Sequence, residues 1–309
     1  MKKTFALWLL VLAIVPWTRA FTLAPDGDQL YKVTDLGTLP GGFFSEGFGI
    51  SSGGQVVGAA DCATCGGFIH AFLWTQSGGM QDLGTLPDGT FSAAIGINAR
   101  GQVIGESTCS TCGGSPHAFL WTKSAGMQDL GTLPGGTFSE AHGINARGQV
   151  VGRSDCATCG FLGHAFLWTQ SGGMQDLGTL PGGNNGSGAI GINVLGQVVG
   201  FSDCPGCSNN LRAFLWTPSA GMEDLGTLPG STTSAASGIN ARRQVVGDLN
   251  VNPFLWTPSQ GMQDLNNLIP ADSGFTLRSA NAINARGQIV GNGSINSRAH
   301  GYLLTPNED

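Results

Sequence analysis

The sequence predicts an all-β fold, a six-bladed β-propeller closed by an N-terminal strand that completes the last blade. Three observations predict it. A unit of about 47 residues recurs six times, each unit divides into four short strands, and one unit is split between the two chain ends.

The repetition is direct. The segment 70–87, HAFLWTQSGGMQDLGTLP, recurs unchanged at 164–181. Trp74, Trp121, Trp168, Trp216 and Trp256 mark the period, spaced 47, 47, 48 and 40 residues apart. Asp-Leu occurs at Asp35, Asp82, Asp129, Asp176, Asp224 and Asp264, and a Gly-Ile-Asn element or its variant begins at Gly49, Gly96, Gly143, Gly191, Gly238 and Ala282.

The second unit shows the four strands. They fall at 94–97, 102–105, 117–122 and 127–130, short and rich in β-branched and aromatic residues. The turn Asn98-Ala99-Arg100-Gly101 places Asn and Gly where a hairpin calls for positive φ. In His117-Ala118-Phe119-Leu120-Trp121, Phe and Trp point one way and Ala and Leu the other. Both faces are apolar, which suits a sheet sandwiched between neighbouring sheets. No window holds a 3.6-residue apolar period, so no helix is expected beyond the first twenty residues.

The chain ends complete the ring. The first unit begins at its fourth strand, 32–36, and the last finishes at its third, 301–305. Joining the two removes the exposed strand edges that invite aggregation. An open β-solenoid is the alternative, disfavoured because such arrays usually carry distinct capping repeats.

Residues 1–20 read as a signal peptide, with Lys2 and Lys3, an apolar run from Phe5 to Val15, and Thr18-Arg19-Ala20 as the cleavage site. The mature domain is then 21–309, and the protein is expected to be secreted or extracellular, with the periplasm as the alternative. Cleavage removes three bases and no acid, moving the formal charge from −6 to −9. Such a surface, with only Lys32 and Lys123 as lysines, excludes nucleic acid as a partner. No second apolar run follows, so no membrane insertion is expected after leader removal, and the chain is expected to be a monomer. Gly makes up 51 of 309 residues, but it recurs at fixed places, which marks turns rather than disorder.

The second-to-third and fourth-to-first connections are long and emerge on one face, where binding residues of a rigid scaffold tend to sit. Four second-to-third loops carry Cys-x-x-Cys: Cys62 and Cys65, Cys109 and Cys112, Cys156 and Cys159, Cys204 and Cys207. The spacing favours a disulfide within each loop in an exported protein. A four-thiolate zinc site from neighbouring pairs is the second reading and a redox-active dithiol the third, and no metal or cofactor is expected. Units five and six lack the loop, which leaves a notch above them.

No nucleophile elbow, zinc-protease helix or phosphate loop is present. Four of the five histidines repeat at the start of the third strand, which marks them as structural hydrogen bonders. Departures from the repeat are better ligand-binding candidates: Glu46, Glu106, Glu140, His142, Arg153 and Asp248. His142 stands where sister units have Ile95 or Ile190.

The repeat resembles the HAF-repeat family of bacterial extracellular proteins. The motif is intact at His70-Ala71-Phe72, His117-Ala118-Phe119 and His164-Ala165-Phe166, and it degrades to Arg212-Ala213-Phe214, Asn252-Pro253-Phe254 and His300-Gly301-Tyr302. The resemblance implies an exported bacterial repeat protein and carries over no catalytic residue. The expected function is non-catalytic binding of an extracellular glycan or protein through the long-loop face. An extracellular carbohydrate hydrolase or lyase on the same scaffold is the alternative.

Overall fold

The computed structural model describes residues 34–205, 211–249 and 252–307. The expected leader lies outside them, as does Cys207. The chain divides into two units, 1–35 and 36–309, and all six sheets belong to the second. Sheet one contains β1 (Ser45–Ile50), β2 (Val56–Asp61), β3 (Ile69–Thr75) and β4 (Gly79–Asp82), antiparallel in chain order. Sheets two to five repeat this at 92–129, 139–176, 187–224 and 235–264. Sheet six, 275–304, has three strands among the described residues. Of the expected closing strand, Lys32 and Val33 lie outside the described residues and Thr34–Leu36 are not in a strand. Two short 3-10 turns, Leu265–Asn267 and Ala271–Ser273, are the helical pieces described, and no described helix is long and apolar enough to cross a membrane.

Third-strand alternation builds the interfaces between sheets. Phe119 and Trp121 of sheet two pack on Val57, Ala71 and Leu73 of sheet one. On the opposite face, Ala118 and Leu120 pack on Phe166 and Trp168 of sheet three. The same exchange joins sheets three to four and four to five. Each fully buried Phe contributes about 1.5–3 kcal/mol. Sheet six breaks the pattern: Val290 and Leu303 are exposed, whereas Val57, Val151, Val199, Val246 and Leu215 at the matching positions are fully buried.

Buried serines link the sheets further. Ser139 accepts from the backbone N–H of Ala118 in sheet two (2.8 Å) and donates to the Gly131 carbonyl (2.6 Å). Ser92, Ser187 and Ser234 do the same for their predecessors. A buried hydroxyl with both functions met avoids the penalty of an unsatisfied polar group.

The first hairpin turn corrects one expectation. Gly101 has positive φ (74°), but Asn98 does not. Asn98 acts through its side chain instead. Its Oδ1 accepts from the N–H groups of Arg100 and Gln102, and its Nδ2 donates to the carbonyl of Asn145 in the next sheet at 3.0 Å. Asn145, Asn193 and Asn240 extend the relay to Asn284. These turns from sheets two to six line one cavity of about 340 Å³. Five successive sheets opening onto one small cavity converge on an axis, as stacked parallel layers about 10 Å apart would not.

Every first strand also carries a bulge. In sheet three Val151 pairs with Gly143 and Gly152 with Ala141, leaving His142 as the extra residue. The strands approach so closely beside it that a Cβ on Gly152 would overlap the Glu140 carbonyl oxygen. Gly58, Gly105, Gly200, Gly247 and Gly291 meet the same constraint in their sheets, which explains the glycine that ends each Gln-Val-Val-Gly element.

Candidate functional site

The sheet-three bulge aims His142 out of the ladder, as bulges near functional sites do. Its Nδ1 lies 3.0 Å from the carbonyl of Ala189 in sheet four, and its Nε2 lies 3.3 Å from Glu140 Oε1. Arg153, directly opposite Glu140 in the ladder, reaches the same carboxylate at 2.9 Å and stacks its guanidinium 5.6 Å from the Phe138 ring centre. Glu106, on the second strand of sheet two, feels the charges of Glu140, His142 and Arg153. Three of the six candidates, Glu140, His142 and Arg153, therefore touch within sheet three and are anchored on sheet four, while Glu106 of sheet two senses their charges without a direct contact being shown.

The environments push the two carboxylates apart. Burial, then the charge of Glu140, raise the Glu106 pKa, and the opposing pull of His142 and Arg153 is smaller. Burial also acts upward on Glu140, but the hydrogen bonds and charges of His142 and Arg153 carry it below its ordinary value. His142 is pulled down by burial and pushed up by Glu140 and the Ala189 carbonyl, ending above its ordinary value.

These directions fix a pH dependence. His142, raised in the folded state, contributes stability that is complete below its unfolded value of 6.5 and is lost as pH rises through its folded value. Glu140, lowered, contributes stability present above 4.5 and lost as pH falls through its folded value. A double-mutant cycle on Glu140→Gln and His142→Ala, read by urea denaturation, should show coupling between pH 4.5 and 6.5 that fades as pH rises further. Coupling that stays constant into the alkaline range would remove the ion pair.

The other two candidates stand apart. Glu46 is exposed on β1 and is not among the groups acting on Glu140. Asp248 accepts from the Ala280 N–H at 2.7 Å and is raised by burial. Burial and Asp248 push Tyr302 up to about 12, while its hydroxyl donates to the Ser279 carbonyl at 2.6 Å. Asp248 thus ties sheet five to sheet six.

The long loops are held to one another. Asp155 Oδ1 accepts from the N–H groups of Thr137 and Phe138 at 2.7 and 2.8 Å, and Ala157 N–H donates to the Pro134 carbonyl. Within these loops Cys62–Cys65, Cys109–Cys112 and Cys156–Cys159 are bridged, with Cα atoms 5.3, 5.1 and 5.1 Å apart. The repeated histidines are hydrogen bonders: His70, His117 and His164 Nδ1 lie 3.0, 3.0 and 2.9 Å from Asp82, Asp129 and Asp176. Sequence reading missed this pairing, although its signal, His and Asp twelve residues apart in each of these units, is plain.

No family model and no curated protein matches the chain. Among solved structures, a gluconolactonase from Xanthomonas campestris is similar at 11% identity and TM-score 0.44, over 85% of this chain and 86% of that one. A puromycin hydrolase is similar at 12% identity and TM-score 0.46, over 84% of this chain, which spans 45% of that structure. Both are distant backbone likenesses, and the chemistry of this chain is carried by its own residues.

Proposed function

We propose that the chain is an exported HAF-type repeat protein, a six-bladed propeller ring, that binds a glycan through the Glu106–Glu140–His142–Arg153 group on its long-loop side. Closure is supported by Val290 and Leu303, apolar and exposed on sheet six, and by Trp74 on sheet one, more exposed than Trp121, Trp168 and Trp216. Those faces have the composition of the five interfaces already formed. In the repeat, Asp35-Leu36 corresponds to the Asp82-Leu83 pair of unit one, so the sequence there is that of a fourth strand.

One observation carries the binding reading. A carboxylate, an imidazole and a guanidinium converge where sister units place apolar or small residues such as Ala93, Ile95 and Ala59. Planar charged groups of this kind match the fixed hydroxyl pairs of a sugar. A second reading, glycoside hydrolysis, is favoured by the opposite shifts of Glu106 and Glu140. One carboxyl shifted up near another shifted down is the sense of separation that acid–base cleavage uses.

The test is a glycan-array screen followed by calorimetry on Arg153→Ala and Glu140→Gln. The best ligand should lose tenfold or more in affinity with each, about 1.4 kcal/mol. Affinity unchanged in both variants would move the site elsewhere. Release of reducing sugar from the bound glycan, abolished by Glu106→Gln, would decide for the hydrolase.

A further inference from the structure

The fold brings the Cys-x-x-Cys loop of each of the first three sheets onto the histidine of the same sheet, and in sheets one and two onto the paired aspartate as well. In sheet one the ligand atoms of Cys62, Cys65, His70 and Asp82 all lie within 4.8 Å of one another, and in sheet two so do those of Cys109, Cys112, His117 and Asp129. In sheet three Cys156, Cys159 and His164 meet the same criterion, with Asp176 2.9 Å from His164 Nδ1. Two sulfurs, one imidazole nitrogen and one carboxylate oxygen are the donors of a tetrahedral zinc site.

The distances suit it. Bonds of 2.0–2.3 Å to a tetrahedral ion imply edges between ligands of roughly 3.3–3.8 Å. His70 Nδ1 lies 3.0 Å from Asp82 Oδ2, and Cys62 Sγ lies 3.9 Å from the same oxygen. Little rearrangement separates this cluster from a coordination shell. The loop itself is held by the rest of the fold: Ala63 N–H donates to the Pro40 carbonyl, and Asp61 Oδ1 accepts from the N–H groups of Phe43 and Phe44. The loop therefore stays in place whether or not its sulfurs are bonded.

We propose that sheets one, two and three each carry a Zn²⁺ site of two Cys, one His and one Asp, formed when the loop disulfide is reduced. A dithiol reductant breaks the S–S bond, becoming a disulfide itself as two electrons and two protons pass to the cysteines. Zn²⁺ then replaces the two thiol protons, which leave to solvent; a disulfide oxidant that takes up two electrons and two protons, becoming a dithiol, re-forms the loop S–S bond and expels the ion. The loop alternates between a covalent and a metal clasp, and the chain holds three such redox-gated sites. By sequence spacing, a shared metal site would draw Cys pairs from neighbouring sheets. Here the third and fourth ligands come instead from the third and fourth strands of the same sheet.

Sheet four is the internal control. It retains Cys204, Cys207 and Asp224, but Arg212 replaces the histidine, and a guanidinium cannot ligate a cation.

The test uses the full chain reduced with a phosphine and titrated anaerobically with Co²⁺, a visible-range reporter of tetrahedral thiolate coordination. Three equivalents should bind with thiolate-to-cobalt charge-transfer absorption, Zn²⁺ should displace them, and the oxidised chain should bind none. His117→Ala should reduce the count from three to two. Four equivalents in the wild type, or three in His117→Ala, would show that Cys pairs alone take up the ion and would overturn the assignment, as would no uptake at all. If circular dichroism shows that reduction unfolds the chain, native mass spectrometry of full chain expressed in a reducing cytosol with zinc replaces the titration. Three bound zinc ions are then expected, and zero overturns the proposal.

Discussion

Phe166→Ala should lower the free energy of unfolding by about 3–5 kcal/mol. Phe166 is fully buried at the interface of sheets two and three, in a cluster with Ile104, Ala118, Leu120 and Leu133. Both sheets are hydrogen-bonded ladders, so neither relaxes easily into the space a lost ring would leave. Removing the ring therefore costs the transfer of its carbons and the cavity as well. Phe161, 99% exposed, is the matched control, and Phe161→Ala should change stability by no more than about 0.5 kcal/mol. Urea unfolding followed by tryptophan fluorescence measures both. Equal midpoints for the two variants would mean that the faces between sheets are not what holds the fold.

Gly152→Ala should be comparably damaging for a different reason, at about 3 kcal/mol or more. The added Cβ would overlap the Glu140 carbonyl oxygen and lie 3.0 Å from Ala141 Cα, backbone on both counts. No side chain can swing away to admit it. Gly178→Ala is the comparison, since Gly178 has φ 69° with nothing within 4 Å of its Cβ position. There the cost is the left-handed backbone alone, about 1–2 kcal/mol. Gly152 is also flanked by Arg153, so the substitution should disturb the Arg153–Glu140 bridge and weaken ligand binding together with stability. A Gly152→Ala protein as stable as the wild type would show that the bulge tolerates a wider separation of its strands.

Much of the architecture was legible because it is written six times. One unit with two apolar faces on its third strand requires neighbours on both sides, and the packing of Phe119 and Leu120 on opposite sheets meets that requirement. The role of Asn98 was misread because Asn is common both at positive φ and as a side-chain cap. Local sequence does not separate the two, and here the acceptor, the Asn145 carbonyl, is 47 residues away. The Glu140 group was found by its departure from the repeat. Asp248 and Glu46 departed in the same way without joining it, because a substitution shows that a position has changed and not which way the new side chain leans. The His–Asp–Cys clusters went unrecognised for the opposite reason. Their residues recur faithfully, and recurrence by itself reads as structure alone.

The equivalence of the interfaces has a consequence for how such a chain can change length. From sheet one to sheet five, Phe and Trp of one unit meet the small residue and Leu of the one before, so these units are not specific for their neighbours. Gain or loss of a whole unit leaves every remaining junction of the same kind and alters only the angle turned at each step. A cut within a unit instead strands one half of a junction on each side of the break. The gene for such a molecule can therefore lengthen or shorten in steps of one unit, and the identical stretches at 70–87 and 164–181 are what recent copying by such steps would leave behind.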